Sequence, residues 1–166
     1  ASDVYKKPMI VRWPGTVQPG TRCNDYLIIE DFYPSILEMA GIDDYDVPQE
    51  IDGISFVPLL KQTKNHSQGR SLYWNCPNIW GEKGPGIGPS CTIRKDNWKM
   101  IYFYETGEKE LYDIPNDTEE NNNVAALYPQ IINKLSKELG KFLRQTNGQR
   151  PSLKKTGKPC PWPDEI

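Results

Sequence analysis

Histidine is almost missing from this 166-residue sequence, which has only His66, set in a polar run of Lys, Asn, Gln and Ser. One histidine in solvated surroundings supplies neither a Ser-His-Asp set nor an H-E-x-x-H zinc motif. The four cysteines, Cys23, Cys76, Cys91 and Cys160, form no C-x-x-C pair, which argues against the usual zinc frameworks. Neither sign of charge dominates. Twenty basic residues stand against twenty-two acidic ones, and the net charge is −2. Only Lys154, Lys155 and Lys158 cluster, so the basic footprint of a nucleic-acid-binding protein is absent. No apolar run approaches the roughly 20 residues that span a bilayer. The Gly-rich segment from Gly81 to Ser90 contains neither G-x-x-x-x-G-K-[ST] nor G-x-G-x-x-G before a helix. Its prolines would break any helix that could present amides to a phosphate. The acidic stretch from Asp43 to Gly53 lacks the alternating ligands and central Gly of a calcium loop. No carboxylate sits in an apolar run that would tune it for proton transfer. The patterns therefore nominate no catalytic residue and no metal ligand.

What the chain does have is fifteen prolines, five tryptophans and nine tyrosines, with a mean hydropathy of −0.68. That composition predicts ordered loops pinned by aromatic anchors rather than disorder. The organising stretch is Cys91 to Asn123. It predicts three short antiparallel strands: Thr92–Arg94, a turn at Asp96-Asn97, Trp98–Tyr104, a Glu-Thr-Gly turn, and Glu110–Ile114. Such a sheet needs a cover. Ile131, Ile132, Leu135, Leu139, Phe142 and Leu143 recur at helical spacing, opposite Lys134, Lys137, Glu138 and Lys141, and Pro129 suits the first turn. The predicted architecture is α+β, a small antiparallel sheet covered by a C-terminal amphipathic helix, with an irregular tail from Thr146 onward.

Upstream, Pro8–Gly15 predicts a buried strand entered after a proline and closed by Pro14-Gly15. The stretch to Gly41 predicts a helix with Pro34 in its first turn, Gly41 as its stop, and Ile28, Phe32, Ile36, Leu37 and Ala40 facing a core. Arg70–Asn75 reads as a further strand, leading into a loop with Trp74, Trp80 and Asn78. Aromatic and amide side chains on a long loop suit sugar faces and hydroxyls, and core packing of the tryptophans is the alternative. Cys76 and Cys91 bracket that loop. A bridge there would contribute about 3 kcal/mol in the chain-entropy picture and would need an oxidising compartment; buried free thiols are the other reading.

Six segments in order then resemble the type I, formylglycine-dependent sulfatases of the alkaline phosphatase superfamily. Pro8-Met9-Ile10-Val11-Arg12-Trp13-Pro14-Gly15 is similar to their P-x-I-V-x-W-P-G strand, and Asp31–Gly41 to their D-x-x-P-T-L-L-x-L-A-G helix. Asp52–Leu60 resembles D-G-x-S-L-x-P-L-L. Arg70–Trp74, Ile93–Ile101 and Glu110–Asp117 are similar to the C-terminal subdomain, with its R-x-G-x-W-K-L-I and E-L-Y-D-L-x-x-D-x-x-E-x-x-N runs.

The resemblance implies a C-terminal part of an arylsulfatase-like sulfuric ester hydrolase acting in carbohydrate desulfation. Residues 1–69 would be the tail end of the large α/β domain, with its last strand and helix, and residues 70–166 the C-terminal subdomain. Calcium and formylglycine are expected in the full-length parent and not in this chain, because no C/S-x-P-x-R occurs and neither Cys76-Pro77 nor Cys160-Pro161 continues into it. The family's E-G-G-x-R lead-in is replaced by Tyr5-Lys6-Lys7. The chain would contribute structure and one wall of the substrate pocket, through Trp74, Asn75 and Asn78, without turnover of its own. Its partners would be the N-terminal catalytic region and a sulfated carbohydrate or aryl sulfate, with no nucleic acid or membrane, in the periplasm or outside the cell. The alternative function is a carbohydrate-binding or interaction module without catalysis.

Overall fold

Alternating apolar residues over short spans between tight turns fix a four-stranded antiparallel sheet, in the order β1-β2-β3-β4. Its strands are β1 (Ser71–Cys76), β2 (Ser90–Lys95), β3 (Trp98–Phe103) and β4 (Lys109–Asp113). The computed structural model describes residues 8–42, 44, 46–62, 69–78 and 88–166. The expected three-stranded meander thus gains Ser71–Cys76 as its first strand. Asp96 takes φ +51 in the β2–β3 turn, a left-handed conformation that aspartate tolerates better than most residues.

Because side chains alternate between faces, the register puts Tyr73, Ile93, Met100 and Leu111 in one cross-strand row. Helix α3 (Pro129–Gln145) begins on Pro129 as expected. It lays Ile132, Leu135, Leu139 and Leu143 against Cys91, Ile93, Met100, Tyr102 and Leu111. Phe142 stacks on Tyr73 with ring centroids 3.7 Å apart. Truncating a fully buried leucine such as Leu139 would leave a cavity that costs about 2–5 kcal/mol.

The polar residues after β4 close the sheet edge. Asp117 accepts the Asn121 and Asn122 backbone N–H groups at 3.0 and 2.9 Å. Asn123 accepts from the Leu111 and Ala125 N–H groups at 3.1 and 3.0 Å. Glu120 pairs with Lys99 of β3 at 2.7 Å. The tail is irregular apart from a Ser152–Pro159 bridge, yet it is docked firmly. Cys160 and Trp162 are buried, Tyr102 donates its hydroxyl to the Pro161 carbonyl at 2.9 Å, and the Arg144 guanidinium grips the Asp164 carboxylate. A Cβ at Gly140 would collide with that carboxylate, so a larger residue there would push Asp164 from its place against Arg144.

Residues 8–70 belong to a separate unit, with helices α1 (Phe32–Met39) and α2 (Val57–Leu60). Gly41, at φ +72, ends α1 in the left-handed turn expected of it, with the Ile42 N–H donating to the Leu37 carbonyl at 2.9 Å. One expectation is overturned here and another is met only in part. Residues 8–13 do not form a strand, and Ile10 is 96% exposed; an extended apolar run needs neighbouring strands to pair with. Of the face expected to meet a core, Ile28, Phe32 and Leu37 are half-buried, with Phe32 edge-on against the buried Phe56. Ile36, however, is 57% exposed and Ala40 is exposed, while Pro34 and Ser35 are buried.

The reason is a polar hub. The Asp31 carboxylate, with no exposed surface, takes both Arg70 guanidinium nitrogens at 2.8 and 2.7 Å. It also accepts the Ile28 and Ile54 backbone N–H groups at 3.0 and 2.9 Å. Ser35 donates to the Asp31 carbonyl at 2.6 Å and accepts the Phe56 N–H at 2.8 Å. Gly53 lies so close to the Glu30 carbonyl that no Cβ fits. Burial pushes the Asp31 carboxyl up, but the hydrogen bonds from Arg70, Ile28 and Ile54 prevail and hold it at about 2.

Asp31→Ala is expected to destabilise this unit by about 3–5 kcal/mol in urea denaturation, because the buried Arg70 loses the carboxylate that takes two of its nitrogens. The sign of the pH dependence follows from the depressed value. The carboxylate's contribution, about 2 kcal/mol, is complete above its ordinary value of 3.8 and is lost as pH falls toward 2. An acid titration in which wild type and Asp31→Ala lose stability in parallel over that window would contradict the hub.

Candidate functional site

The three residues singled out for a sugar-facing role lie at the end of β1, where the chain leaves the sheet. Trp74 pairs across from Thr92, and Asn75 from Cys91. Adjacent strand positions point to opposite faces, so Trp74 and Asn75 do not line one surface. Trp74 is 45% exposed, on the face away from α3. Asn75 faces the α3 side and is half-buried. Its Nδ2 donates to the Gln149 carbonyl at 2.7 Å, and its Oδ1 accepts the Tyr104 hydroxyl at 3.0 Å. Asn78 lies just beyond the strand and is exposed. Trp80 and His66 fall outside the described residues. Tyr104 and Gln149 had no sequence signal linking them to Asn75: one ends a strand pattern, and the other sits in an unpatterned tail.

The opposite end of the sheet carries a second polar group. Glu138 of α3 accepts Lys95 Nζ at 2.8 and 2.9 Å, the Tyr73 hydroxyl at 3.2 Å and the Ser71 hydroxyl. Burial works against the Glu138 charge, but Lys95 and Ser71 outweigh it and hold the carboxyl below its ordinary value. Glu138 in turn raises Lys95. Every member is bonded to another, so the arrangement ties α3 to the sheet rather than presenting an unsatisfied group to a substrate. Beside it a cavity of about 260 Å³ is lined by Lys95, Asp96, Asn97, Trp98, Ile131, Lys134 and Leu135, at the far end of the strands from Trp74.

The four-stranded sheet, the single covering helix and the anchored edge loop match known proteins. A family model for the C-terminal region of N-sulphoglucosamine sulphohydrolase matches residues 2–146. The chain belongs to this family and is the C-terminal portion of a sulfatase. An ulvan-active sulfatase of Formosa agariphila is 30% identical over 173 residues, covering 84% of this chain and 33% of that protein. An N-acetylglucosamine-6-O-sulfatase of Bacteroides thetaiotaomicron is 29% identical over 150 residues, covering 89% of this chain and 26% of its own length. The crystal structure of Ps i-CgsB shares the fold with a TM-score of 0.66 at 23% identity, over 84% of this chain and 29% of that one. This sulfatase chain thus spans between a quarter and a third of the length of the curated relatives it matches.

Full-length sulfatases of this type imply calcium and a formylglycine. Among the described residues no donor set fits the metal, since no three His, Cys, Asp or Glu side chains converge to hold an ion. Cys76 and Cys160 lack the pattern that is converted. The cysteines instead divide by burial. All four are free thiols, Cys23 and Cys76 exposed, Cys91 and Cys160 buried. Cys76 pairs with Ser90, one position before Cys91, so Cys76 and Cys91 point to opposite faces of the sheet. A bridge between them would require a register slip. Burial pushes the Cys91 thiol up to about 12 and raises Cys160 as well, which keeps both protonated and unreactive.

A thiol-reactive dye is therefore expected to label Cys23 and Cys76 in seconds to minutes in the folded chain. Cys91 and Cys160 should be labelled only on unfolding, and mild oxidant should leave Cys76 and Cys91 unlinked. A Cys76–Cys91 disulfide found by peptide mapping would overturn the strand register.

Proposed function

We propose that this chain supplies the C-terminal wall of the substrate pocket in a periplasmic or secreted carbohydrate sulfatase and turns over no substrate alone. In this reading residues 1–69 complete the large α/β domain and residues 70–166 form the C-terminal subdomain. The observation that carries it is the mismatch between specification and cover in residues 8–70. The Asp31 hub fixes the backbone there, yet Ile10, Ile29, Ile36 and Ile54 are half to fully exposed. These isoleucines leave apolar surface for a neighbour to cover, and in this reading the upstream two-thirds of a sulfatase fold is that neighbour. It would provide strand partners for residues 8–13, a cover for the outer side of α1, and the calcium and formylglycine that carry out ester hydrolysis. Trp74 and Asn78 then face a sulfated carbohydrate, with Trp74 offering its ring to a sugar face. The relatives' names, an ulvan-active sulfatase and an N-acetylglucosamine-6-O-sulfatase, support a carbohydrate rather than a simple aryl sulfate as the substrate.

One observation favours a second reading, a carbohydrate-binding module without catalysis: the exposed indole of Trp74 on an open strand. The two readings separate in one experiment. The 166-residue chain and the complete gene product are assayed with an aryl sulfate and sulfated oligosaccharides, with calcium present. The expected result is turnover by the complete protein and none by the short chain. Turnover by the short chain, or sugar binding by it with an inactive complete protein, would overturn the pocket-wall assignment.

A further inference from the structure

The connection between β1 and β2 leaves the sheet at Cys76 and returns at Ser90, and one residue holds both of its ends. The Tyr104 hydroxyl donates to Asn75 Oδ1 at 3.0 Å, at the departing end. The Tyr104 backbone N–H donates to the Pro89 carbonyl at 2.9 Å, at the returning end. Asn75 is then tied from its other side by the Gln149 carbonyl at 2.7 Å. A carbonyl only accepts, so it fixes which end of the Asn75 amide faces the tail, and the remaining oxygen must take the tyrosine hydroxyl.

The tail residues are themselves fixed. The Gly148 N–H donates to the Leu143 carbonyl at the end of α3 at 2.7 Å. The Arg150 guanidinium donates to the Cys160 carbonyl at 3.0 Å and lies 4.6 Å from the Trp162 ring. A Cβ at Gly148 would come within 3.0 Å of a Leu143 methyl and 3.1 Å of its carbonyl, so the tail is closely packed against the end of α3 there. Gln149 is thus a prearranged acceptor supplied by a segment beyond the family-matched residues 2–146.

We infer that Tyr104, Asn75 and the Gln149 carbonyl form a clamp that sets the direction in which residues 76–78 leave the sheet, making Tyr104 and Asn75 positioning residues for the substrate-facing Asn78. The inference rests on the pocket-wall reading for its purpose, but not for its geometry. Asn75 is suited to the place because an amide gives and takes one hydrogen bond at once. A carboxylate would confront the Gln149 carbonyl with a second acceptor, and an alanine would leave both partners unsatisfied. Tyr104 is buried, and burial raises its hydroxyl, so it remains a donor at ordinary pH.

The test compares wild type with Tyr104→Phe, Asn75→Ala and Asn75→Asp. Tyr104→Phe removes one oxygen from an otherwise intact ring. Amide hydrogen exchange on the 166-residue chain should show residues 76 and 90, the last pair between β1 and β2, exchanging about five- to tenfold faster in Tyr104→Phe and Asn75→Ala, with Met100 and Leu111 unchanged. Exchange at those two amides equal to wild type, or faster by one factor across the whole sheet, would overturn the clamp. In the complete enzyme the same variants should raise KM several-fold while kcat stays within about twofold, and Asn75→Asp should not rescue. Unchanged KM in an active enzyme whose connection has loosened would overturn the positioning role. An inactive wild-type enzyme would overturn the pocket-wall reading and the positioning role with it, while the exchange data would still decide the clamp.

Discussion

Residues 8–70 depend on one buried charge pair. Asp31 and Arg70 are thirty-nine positions apart and meet through two hydrogen bonds, and Asp31 also collects backbone N–H groups from Ile28 and Ile54. A buried ion pair contributes little net stability, because desolvation offsets most of the attraction. What it contributes is uniqueness, since displacing any one partner strands a charge or a donor. α1, the Gly53 turn and the approach to β1 are therefore specified by polar geometry. The apolar residues of the unit divide: Phe56 and Val57 are buried, with the Phe32 ring edge-on against Phe56, while Ile36 and Ile54 are exposed. Polar geometry thus fixes the backbone here beside a small apolar core.

The unit from residue 71 onward has the opposite balance. Its core is apolar and closed, with Ile93, Met100, Leu111 and Leu139 fully buried, and its polar groups work at the margins. This separates the sulfatase signature from the sulfatase chemistry. Within the E-L-Y-D…D-x-x-E-x-x-N run, Asp117 caps a turn, Glu120 neutralises Lys99 of the W-K-L-I-like run, and Asn123 satisfies the edge of β4. Within D-x-x-P and D-G-x-S, Asp31 is the hub and Gly53 is a packing necessity. Each of these five residues is accounted for by a structural bond or a close contact, so these parts of the family's pattern are explained by folding without a role in the chemistry.

The same division explains what was legible in the sequence. α3 and the strands of the meander were legible because period 3.6 and period 2 leave direct marks on one face. Their register followed from the Asp96-Asn97 and Glu-Thr-Gly turns. The Pro8–Trp13 strand was misread because an apolar run states a preference for pairing but cannot supply the partner. The α1 face was read only in part: Ile28, Phe32 and Leu37 do turn inward, but periodicity counts carbon, and Asp31 and Ser35 take buried positions that Ile36 and Ala40 do not. A Cys76–Cys91 bridge stayed open until the pairing of Cys76 with Ser90 placed the two sulfurs on opposite faces. The candidate site was legible only as a location. That Asn75 and Trp74 face apart follows from their adjacency in a strand, but that both polar atoms of Asn75 are engaged depends on Tyr104 and Gln149, at separations of 29 and 74 residues.

Those separations bear on how a pocket wall can be built at the edge of a sheet. A side chain on a connection is only as well aimed as the two points where the connection leaves and rejoins its scaffold, and backbone pairing stops at those points. Here the last paired residues are Cys76 and Ser90, and the hydrogen bonds that continue the order come from side chains and the tail. None of the three groups involved titrates near neutrality, since an amide and a backbone carbonyl carry no proton equilibrium and burial raises the Tyr104 hydroxyl. The direction given to residues 76–78 is therefore independent of pH over the range in which the Asp31–Arg70 pair also survives. In the pocket-wall reading, this clamp therefore adds no titration of its own near neutrality to a sulfatase containing this portion.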